Sequence, residues 1–434
     1  MVEIQPPGGY NLTMIERNVL KNLMSAITDT PVILVTGARQ TGKSTLVKHI
    51  HTVGIARQYL TMDTLSTFDA ASSDPEGFIS NLNYGPVIID EIQKVPQLLL
   101  PIKIAVDTNR KPGYFILTGS ANILMLPKVS ESLTGRIEIL TLYPFAQSEL
   151  AVVKKSFPDI LYKINNTSYL NEFMPVDILS ISSSKHLMQM IIKGGYPEMQ
   201  TRDSQSRQYA WFDSYITTFI KKDIKEFSNI ENSTEIFRLL ALLAAHTGSL
   251  SHYAELSRIL EIPQTTLKRY IYVLCAAHLL QIIPAWSNNL GKRVVRSPKL
   301  MLNDTGLISY LLGINLDRLE NDSILYGRLF ECFVTLELLK HCSWSETNAK
   351  CYHFRTSTGQ EVDIILEYPG GEIIGVEIKA RATVSKNDFK WLKTLQESLG
   401  KRFLRGIVIY TGDQIIPFGD NLTAVPVCLL WGLK

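Results

Sequence analysis

Near the amino end of the chain, one octapeptide combines two glycines, an amine and a hydroxyl at fixed spacing. It reads Gly37-Ala38-Arg39-Gln40-Thr41-Gly42-Lys43-Ser44 and fits the pattern G-x-x-x-x-G-K-[ST]. The glycines let the backbone wrap closely around an anion, and successive amide groups then point at it. An apolar run, Val32–Thr36, precedes the loop and a helical pattern follows it, so the segment predicts a phosphate-binding loop at a helix N-terminus.

The ligand expected at this loop is ATP together with Mg²⁺. Lys43 is expected to reach the β and γ phosphates, and the Ser44 hydroxyl is expected to hold the metal ion. Backbone contacts to the phosphates are expected along the whole segment, from Gly37 through Ala38, Arg39, Gln40, Thr41 and Gly42 to Thr45.

A second motif, Val87–Glu91, is an apolar strand that ends in two acids. Asp90 is expected to bind Mg²⁺ through its hydration shell, and Glu91 to orient or deprotonate the attacking water. The alternative is that the two acids only terminate a strand. The presence of both motifs in this order favours the nucleotide site, and a glutamate after the aspartate favours hydrolysis over passive binding.

Two further polar residues follow in the same region. The run Tyr114–Thr118 ends in Gly119-Ser120, so the Ser120 side chain is either a sensor near the γ phosphate or an ordinary turn residue. Arg136 is either an arginine finger, acting within the chain or on a neighbouring subunit, or a surface arginine at the start of a strand. Arg39, inside the loop, is a weaker alternative for the same role.

The middle of the chain combines helical patterns with local positive charge. Ser251–Leu260, Pro263–Cys275 and the strand-like run Leu280–Ile283 predict a winged helix-turn-helix. No acid occurs from residue 264 to residue 299, and five basic residues of this stretch are predicted to contact DNA phosphates: Lys268, Arg269, Lys292, Arg293 and Arg296. The alternative is a packing or dimerisation module with a solvated basic face.

Acidic residues and a lysine recur in the last part of the chain. Glu377 and Lys379 lie two apart in a predicted strand, so both side chains face the same side, and Asp363 lies in the preceding predicted strand. Together they predict an acidic metal site beside an ammonium, and Glu331 lies on the helical pattern Arg328–Leu339. The alternative is a paired charge cluster on a half-buried sheet.

The elements that must position these residues form successive regions. Short apolar runs alternate with helical patterns up to Leu142, which is typical of an α/β fold with a parallel sheet. We predict a P-loop ATPase domain over residues 1–150, a linker over 151–184, an α-rich domain with the winged helix over 185–320, and an α/β unit over 321–434. The strands of the first domain are expected at Val32–Val35, Tyr59–Met62, Val87–Ile89, Tyr114–Leu117 and Ile137–Leu142.

Composition restricts the location and the partners. The 434 residues carry 44 Lys and Arg against 41 Asp and Glu, so any nucleic-acid affinity must come from a local patch. The five cysteines are scattered and odd in number, which favours reduced thiols. The amino end lacks the pattern of a signal peptide, and no apolar stretch reaches the roughly 18 residues of a membrane helix. We expect a soluble, cytoplasmic protein with no membrane partner.

The motifs resemble those of prokaryotic AAA-type P-loop ATPases of the AAA_14/DUF4143 family, in which a P-loop domain precedes a helical domain of unknown function called DUF4143. The resemblance extends from the P-loop through Ile89–Gln93, Leu117–Ser120 and Gly194–Glu198 to Leu302–Leu307. The last domain resembles the PD-(D/E)xK nuclease fold. That resemblance implies that Asp363 and Glu377 bind Mg²⁺, that Lys379 assists the attacking water, and that Glu331 completes the site.

The sequence therefore predicts an ATP-hydrolysing protein that couples its nucleotide cycle to a nucleic-acid-acting C-terminal module. A regulatory ATPase switch that acts on a protein partner, with an inactive nuclease-like domain, is the alternative. A DNA-binding regulator with slow turnover is a third. DNA, a second copy of the chain and a protein partner all stay open as partners.

Overall fold

The computed structural model describes residues 15–432, apart from residues 56–57, 83–84, 121–132, 165–169, 171, 174–182, 224–232, 250–252, 290, 292 and 294–296. The chain forms two compact units. The first comprises Met1–Phe145 with the short segment Leu274–Leu279, and the second comprises Ala146–Val273 with Leu280–Lys434.

The first unit is built on a five-stranded sheet in which every recorded pairing is parallel, with the order β2-β3-β4-β1-β5. Every residue of β1, β3 and β4 is buried, as expected for strands with helices on both faces. The strands are β1 Val32–Thr36, β2 Gln58–Thr61, β3 Val87–Asp90, β4 Phe115–Gly119 and β5 Ile137–Thr141. All five predicted strands are confirmed to within two residues at either end.

Alternate residues of β1 enter different hydrophobic clusters, because successive side chains of a strand point to opposite faces. Val32 and Leu34 pack in one cluster, and Ile33 and Val35 pack in the other. The helices of this unit are α1 Leu20–Ala26, α2 Lys43–Thr52, α3 Leu65–Ser73, α4 Pro75–Ser80 and α5 Leu99–Thr108. Both faces of the sheet are therefore covered. The polar loops follow the carboxyl ends of the strands.

The first part of the second unit is helical, as predicted. Its helices are α6 Gln147–Leu150, α7 Phe157–Lys163, α8 Ser184–Lys193, α9 Pro197–Gln200, α10 Gln205–Thr218, α11 Ser233–Ala245, α12 Tyr253–Leu260 and α13 Gln264–Ala276, whose residues from Leu274 onward count with the first unit. An antiparallel hairpin of β6 Leu280–Ile283 and β7 Lys299–Leu302 follows α13. This order of helices and hairpin agrees with the predicted elements, and the winged-helix assignment itself stays a prediction.

Two stretches from the family resemblance meet in this unit. The buried carboxylate of Asp304 accepts hydrogen bonds from the backbone N–H groups of Gly195, at 2.7 Å, and Leu307, at 3.1 Å. Gly194 has φ +70°, and a β-carbon there would lie 2.2 Å from an Asp304 oxygen. Gly194 leaves room for the Asp304 carboxylate, and the carboxylate binds the backbone beside it. These contacts give both residues a structural role.

The last part of the second unit is a six-stranded mixed sheet with the order β12-β13-β11-β10-β9-β8. Three helices precede this sheet in the chain: α14 Thr305–Leu311, α15 Leu316–Asn321 and α16 Ser323–Ser343. A fourth, α17 Lys390–Leu399, lies between two of its strands in sequence. Its strands are β8 Lys350–Arg355, β9 Glu361–Glu367, β10 Ile373–Lys379, β11 Phe403–Tyr410, β12 Ile416–Gly419 and β13 Leu422–Pro426. The predicted succession of helix, three strands, helix and strand is present, and β12 with β13 extends it.

None of the helices in the described part of the chain combines the length and the hydropathy that crossing a bilayer requires.

Candidate functional site

The loop after β1 is shaped by two glycines. Gly37 passes so close to β5 that a β-carbon on it would lie 2.2 Å from the carbonyl oxygen of Leu142. Gly42 takes φ +95° immediately before α2 begins at Lys43. The loop therefore turns between the end of β1 and the first turn of α2, where the unpaired N–H groups of the helix face outward as an anion site.

The Lys43 side chain is only 4% exposed. Its Nζ donates to the carbonyl oxygens of Gly37, at 2.9 Å, and Ala38, at 2.8 Å. These contacts hold the ammonium inside the loop. A phosphate in the loop would meet this amine directly, so the geometry agrees with the predicted role of Lys43.

Asp90, at the end of β3, collects three hydroxyl groups. Ser44 Oγ donates to Asp90 Oδ1 at 3.1 Å, Thr118 Oγ1 donates to the same oxygen, and Tyr59 Oη donates to Oδ2 at 2.5 Å. Burial and the hydrogen bond to Asp90 raise the pKa of Tyr59 well above its ordinary value, so the phenol keeps its proton and stays a donor. Sequence analysis missed Tyr59 and Thr118, which lie on the strands flanking β3.

The pairing of Ser44 with Asp90 fits a magnesium ion. Hydroxyl and carboxylate oxygens are donors that Mg²⁺ accepts, and the ion usually takes only one or two protein carboxylates besides phosphates and water. Both predicted metal ligands of the nucleotide site therefore stand together at the mouth of the loop.

Glu91 follows Asp90 with φ +60°, and its backbone N–H donates to Thr118 Oγ1 at 3.0 Å. Its carboxylate accepts a hydrogen bond from Gln93 Nε2, which also donates to Ser120 Oγ at 2.8 Å. Gln93 thus joins the predicted base to the predicted sensor, and sequence analysis did not identify it. The strained backbone at Glu91 and the amide of Gln93 together fix where the carboxylate points.

The other loop residues have structural or outward-facing places. Thr41 Oγ1 donates to Ala38 O at 2.9 Å, and Arg17 Nη1 donates to Thr41 O at 2.7 Å. Arg17 Nη2 also donates to Tyr143 O at 2.6 Å, so this buried guanidinium ties the loop to the residues after β5. Arg39 and Thr45 are partly exposed, and Gln40 is exposed.

His278 is an unexpected member of the site. It belongs to the segment Leu274–Leu279 of the first unit, and its Nε2 lies 2.8 Å from Thr36 Oγ1, in hydrogen-bonding contact. Burial and the charge of Lys43 lower the pKa of His278 to about 4, so the imidazole is neutral near pH 7. No motif marks this residue, which follows the P-loop by more than two hundred positions.

Arg136 lies at the amino ends of the strands, opposite to the end that carries the P-loop. Its carbonyl accepts from Val32 N at 3.2 Å, and β1 and β5 then run in parallel from Val32 opposite Ile137. The full length of β1 separates this position from the P-loop, and the guanidinium makes a two-pronged ion pair with Asp107. The prediction that Arg136 acts on the nucleotide of its own chain is therefore wrong; the version acting on a neighbouring subunit stays a prediction.

The predicted DNA-contacting residues do not form one uniform patch. Lys268 and Arg269 are exposed on α13, as the prediction requires. Arg293 is half-buried, and it forms a bidentate ion pair with Glu367 at 2.6 and 2.7 Å. The structure thus gives this guanidinium a partner within the second unit, and its contact with DNA stays a prediction. Lys292 and Arg296 lie outside the described residues.

In the second unit, the predicted acidic residues do converge. Lys379 Nζ donates to Glu377 Oε2 at 3.1 Å, and the Asp363 carboxylate accepts from the backbone N–H of Ile378 at 2.8 Å. Glu377 is 5% exposed, and burial and the neighbouring Asp363 raise its pKa to about 9. Burial alone lowers the pKa of Lys379, but Glu377 and Asp363 raise it above the ordinary value. Burial and Asp363 therefore work against a negative charge on Glu377, and the neighbouring acids keep Lys379 charged.

Glu331 joins this group through a lysine that was not assigned to the site. Lys299 Nζ lies 2.9 Å from Glu331 Oε1 and 3.2 Å from Glu361 Oε1. Burial and Asp363 raise the pKa of Glu331 to about 7. Arg355 approaches Glu361 from the exposed side at 3.3 Å.

A pocket of about 560 Å³ opens onto these acids. It is lined by residues 245–249 together with Arg328, Glu331, Arg355, Glu361 and Asp363. Among the residues that the structure describes, no three His, Cys, Asp or Glu side chains converge closely enough to hold a metal ion by themselves. Asp363 and Glu377 supply two carboxylates, which fits Mg²⁺ when water and substrate complete its shell.

Comparison with known proteins places three family models on the chain. An AAA domain (AAA_14) matches residues 29–151, a domain of unknown function (DUF8612) matches residues 184–318, and a domain of unknown function (DUF4143) matches residues 326–430. The name DUF4143 thus belongs to the C-terminal region, and not to the helical region where the sequence resemblance had placed it.

The chain is also similar to proteins from other organisms and to solved structures. The uncharacterized protein Rv2008c of Mycobacterium tuberculosis is 32% identical over 427 residues, which cover 97% of this chain and 86% of the relative. The uncharacterized protein MJ1637 of Methanocaldococcus jannaschii is 26% identical over 418 residues, which cover 90% of this chain and 82% of the relative. The structure of the Walker-type ATPase PABY2304 of Pyrococcus abyssi covers 69% of this chain and 96% of its own, at 14% identity and a TM-score of 0.42.

The likeness in structure is too low to carry an argument, so the assignment rests on the sequence matches and on the P-loop geometry. By its identity and coverage, the chain belongs to the family of the mycobacterial protein Rv2008c, a P-loop ATPase family with an AAA domain at residues 29–151 of this chain.

Proposed function

We propose that the chain binds Mg-ATP at Gly37–Thr45 and hydrolyses it, and that the nucleotide cycle drives a C-terminal module that acts on nucleic acid. The observation that carries the first half is the pairing of Ser44 with Asp90 at 3.1 Å beside the buried Lys43. A loop amine, a metal-binding hydroxyl and a carboxylate at one strand edge are the parts that phosphoryl transfer requires.

Hydrolysis would use these side chains in sequence. Lys43 would exchange its loop carbonyl partners for phosphate oxygens when ATP binds, and Ser44 and Asp90 would hold a Mg²⁺ ion. The ion, when bound, neutralises charge on the β and γ phosphates. The Glu91 carboxylate, oriented by Gln93, accepts a proton from the attacking water or fixes its position. Ser120 lies within the same hydrogen-bonded chain and reports on that position.

The second half of the proposal is supported by the convergence of Asp363, Glu377 and Lys379. Cleavage of a phosphodiester needs an activated water and a cation near the developing charge. In this module Asp363 and Glu377 would hold the divalent ion, and Lys379 would position the water or stabilise the phosphorane. Burial and Asp363 raise the pKa of Glu377, so a divalent ion bound beside it would favour the charged carboxylate and the release of any proton that it holds.

A second candidate function is a regulatory ATPase switch whose C-terminal module is inert. The observation that favours it is the lysine ammonium already bound among the acids, at 2.9 Å from Glu331 and 3.2 Å from Glu361. A carboxylate cluster that is neutralised internally serves as a packing device as readily as a metal site. In this reading, the nucleotide sets a conformation that a protein partner recognises.

The two candidates differ in a nuclease assay with Mg²⁺ or Mn²⁺ run beside an ATPase assay with and without DNA. The nuclease reading predicts cleavage that Asp363→Asn abolishes, while ATP hydrolysis persists because the P-loop is in the other unit. Asp388→Asn is the matched control, because Asp388 is a carboxylate of the same module that pairs with Arg381. No cleavage by the folded wild type under either metal contradicts the nuclease reading and leaves the switch.

We further propose a cytoplasmic location, in line with dispersed free cysteines, and assembly with a second copy of the chain or a protein partner. Size-exclusion chromatography with light scattering, with and without ATP, tests the assembly: a mass at the 48.9 kDa of one chain in both states contradicts self-association.

A further inference from the structure

Two cysteines that lie nine positions apart in the sequence meet in the second unit. Cys342 is the last residue but one of α16, and Cys351 is the second residue of β8. Their sulfur atoms lie 3.4 Å apart, in hydrogen-bonding contact. A disulfide bond is about 2.0 Å long, so the two sulfurs have to approach each other by only about 1.4 Å to be joined. The contact is therefore close to the geometry of a covalent bond.

The turn between the two cysteines is held by one carboxylate. Asp159, on α7, accepts hydrogen bonds from the hydroxyl of Ser345 and from the backbone N–H of Glu346, at 2.9 Å. It also accepts from the backbone N–H of Thr347, at 3.2 Å. The segment that connects α16 to β8 is therefore ordered before any bond forms. A cross-link between thiols that are already held together costs little further chain freedom.

The two thiols differ in their access to solvent. Cys351 is 8% exposed, whereas Cys342 is partly exposed, so a small oxidant in solution meets Cys342 first. The hydrogen bond with Cys351 and burial raise the pKa of the Cys342 thiol well above its ordinary value. Because the thiolate is the reactive form, the reaction is slow near neutral pH. Such a pair responds to sustained oxidation and does not scavenge peroxide rapidly.

A metal ion is the other ligand that paired cysteines bind, and a structural zinc site takes four protein ligands. In the part of the chain that the structure describes, no group of three His, Cys, Asp or Glu side chains could hold a metal ion. His353, two positions after Cys351, directs its Nε2 at the carbonyl oxygen of Ser297, at 3.1 Å. The arrangement therefore favours chemistry between the two thiols over a metal site.

We propose that Cys342 and Cys351 are a redox-sensitive dithiol, which hydrogen peroxide oxidises to a disulfide that closes the turn between α16 and β8. The Cys342 thiolate attacks one peroxide oxygen, the O–O bond breaks, and Cys342 becomes a sulfenic acid while the first water leaves. The Cys351 sulfur then attacks the Cys342 sulfur, the S–O bond breaks, and the second water leaves. Two thiols thus lose two electrons and two protons, and one peroxide becomes two waters.

The bond would tie together two elements of the C-terminal module. α16 ends at one cysteine, and β8 pairs in antiparallel fashion with β9 from the other. A cross-link stabilises chiefly by restricting the unfolded chain. A closed loop of about ten residues should raise the melting temperature of the second unit by about 4–8 °C. This inference does not depend on the nucleotide site or on a metal.

The test is peptide mapping by mass spectrometry. Trypsin cuts after Lys340, Lys350 and Arg355, so the two cysteines fall on separate peptides, 341–350 and 351–355. Folded wild type is treated with hydrogen peroxide, its remaining thiols are alkylated, and the chain is digested. Most molecules should give the two peptides joined, lighter than their sum by two hydrogen atoms. Dithiothreitol added before alkylation should return both peptides in the alkylated form.

Two serine variants control the assignment. Cys275→Ser removes another partly exposed thiol and leaves the pair, so it should form the linked peptides as wild type does. Cys351→Ser should form no linked peptides and should carry sulfinic acid on Cys342, because no second thiol traps the sulfenic acid. Peroxide should raise the melting temperature of wild type and Cys275→Ser only. Cys342→Ser, at the less buried position, replaces Cys351→Ser if that variant does not fold.

The outcomes decide the proposal. Folded wild type that keeps both thiols alkylatable after peroxide, or that carries sulfinic acid on Cys342 without linked peptides, would reduce the pair to a packing contact. Linked peptides with no rise in melting temperature would show that the bond strains the turn, which contradicts a site arranged for it.

Discussion

Gly37→Ala tests the P-loop geometry most sharply, because the residue meets two constraints at once. An alanine there would have φ +155° and a β-carbon 2.2 Å from the Leu142 carbonyl oxygen, well inside the 3.0 Å that real contacts respect. The left-handed backbone costs about 1–2 kcal/mol, and overpacking against a backbone atom adds about 1–3 kcal/mol. We therefore expect a loss of roughly 2–5 kcal/mol in the free energy of unfolding of the first unit.

Gly54→Ala is the matched control in the same unit. Gly54 has φ +80°, but nothing lies within 4 Å of a β-carbon placed on it. It should lose only the backbone part, about 1–2 kcal/mol. The free energy of unfolding of wild type and both variants is measured by urea titration, with and without Mg-ATP. The ATP concentration is about one hundred times the wild-type dissociation constant.

ATP should stabilise wild type and Gly54→Ala by about 2.7 kcal/mol at that concentration, and it should not stabilise Gly37→Ala, because the loop can no longer close around the phosphates. If Gly37→Ala were as stable as Gly54→Ala and kept the full gain from ATP, the close passage of the loop against β5 would be wrong.

Three further changes follow from the same geometry. Arg136→Ala should leave ATP hydrolysis unchanged in isolated chains, whereas a loss that mixing with Glu91→Gln subunits restores would show that it acts on a neighbour. Neutralising Lys268 and Arg269 together should flatten the slope of log DNA affinity against log salt by about 1.8, and an unchanged slope would make α13 a solvated face. The low pKa of His278 means that the unfolded chain binds more protons between about pH 6.5 and 4, so stability should fall through that window as pH falls, by roughly 3 kcal/mol. Asparagine tolerates the φ of +57° at position 278. His278→Asn should therefore remove that part of the pH dependence of the free energy of unfolding in urea.

The residues that the sequence predicts well are those whose role depends on neighbours along the chain. The P-loop is a run of consecutive residues, and β1 and β3 are buried on both faces, so they read as continuous apolar segments. Glu377 and Lys379 share a face because they lie two apart in one strand. Local spacing was enough for each of these.

The residues that the sequence does not reveal depend on which strands lie side by side. Tyr59 and Thr118 reach Asp90 because β3 lies between β2 and β4, an order that the chain does not follow. Arg136 lies at the amino ends of the strands, away from the P-loop of its own chain, because β5 starts beside the first residue of β1. His278 reaches Thr36 through a segment that packs with the first unit from far along the chain.

The basic stretch from 264 to 299 shows the same limit for charge. Without an acid in the stretch it reads as an exposed surface, yet Arg293 pairs with Glu367 and Lys299 pairs with Glu331 and Glu361. Partners that lie 32 to 74 positions away cannot be recognised from local composition. Exposure has to be known before a run of basic residues is interpreted as a contact surface.

The central claim is that Asp90 and Glu91 divide metal binding and water activation between them. Steady-state phosphate release is measured for wild type and Glu91→Gln in Mg²⁺, with ATP binding measured on the same samples. The account predicts that wild type turns ATP over, and that Glu91→Gln binds ATP as wild type does and loses turnover, because its side chain keeps the shape but not the base. Equal turnover in the two proteins, or no ATP binding by folded wild type, would contradict it.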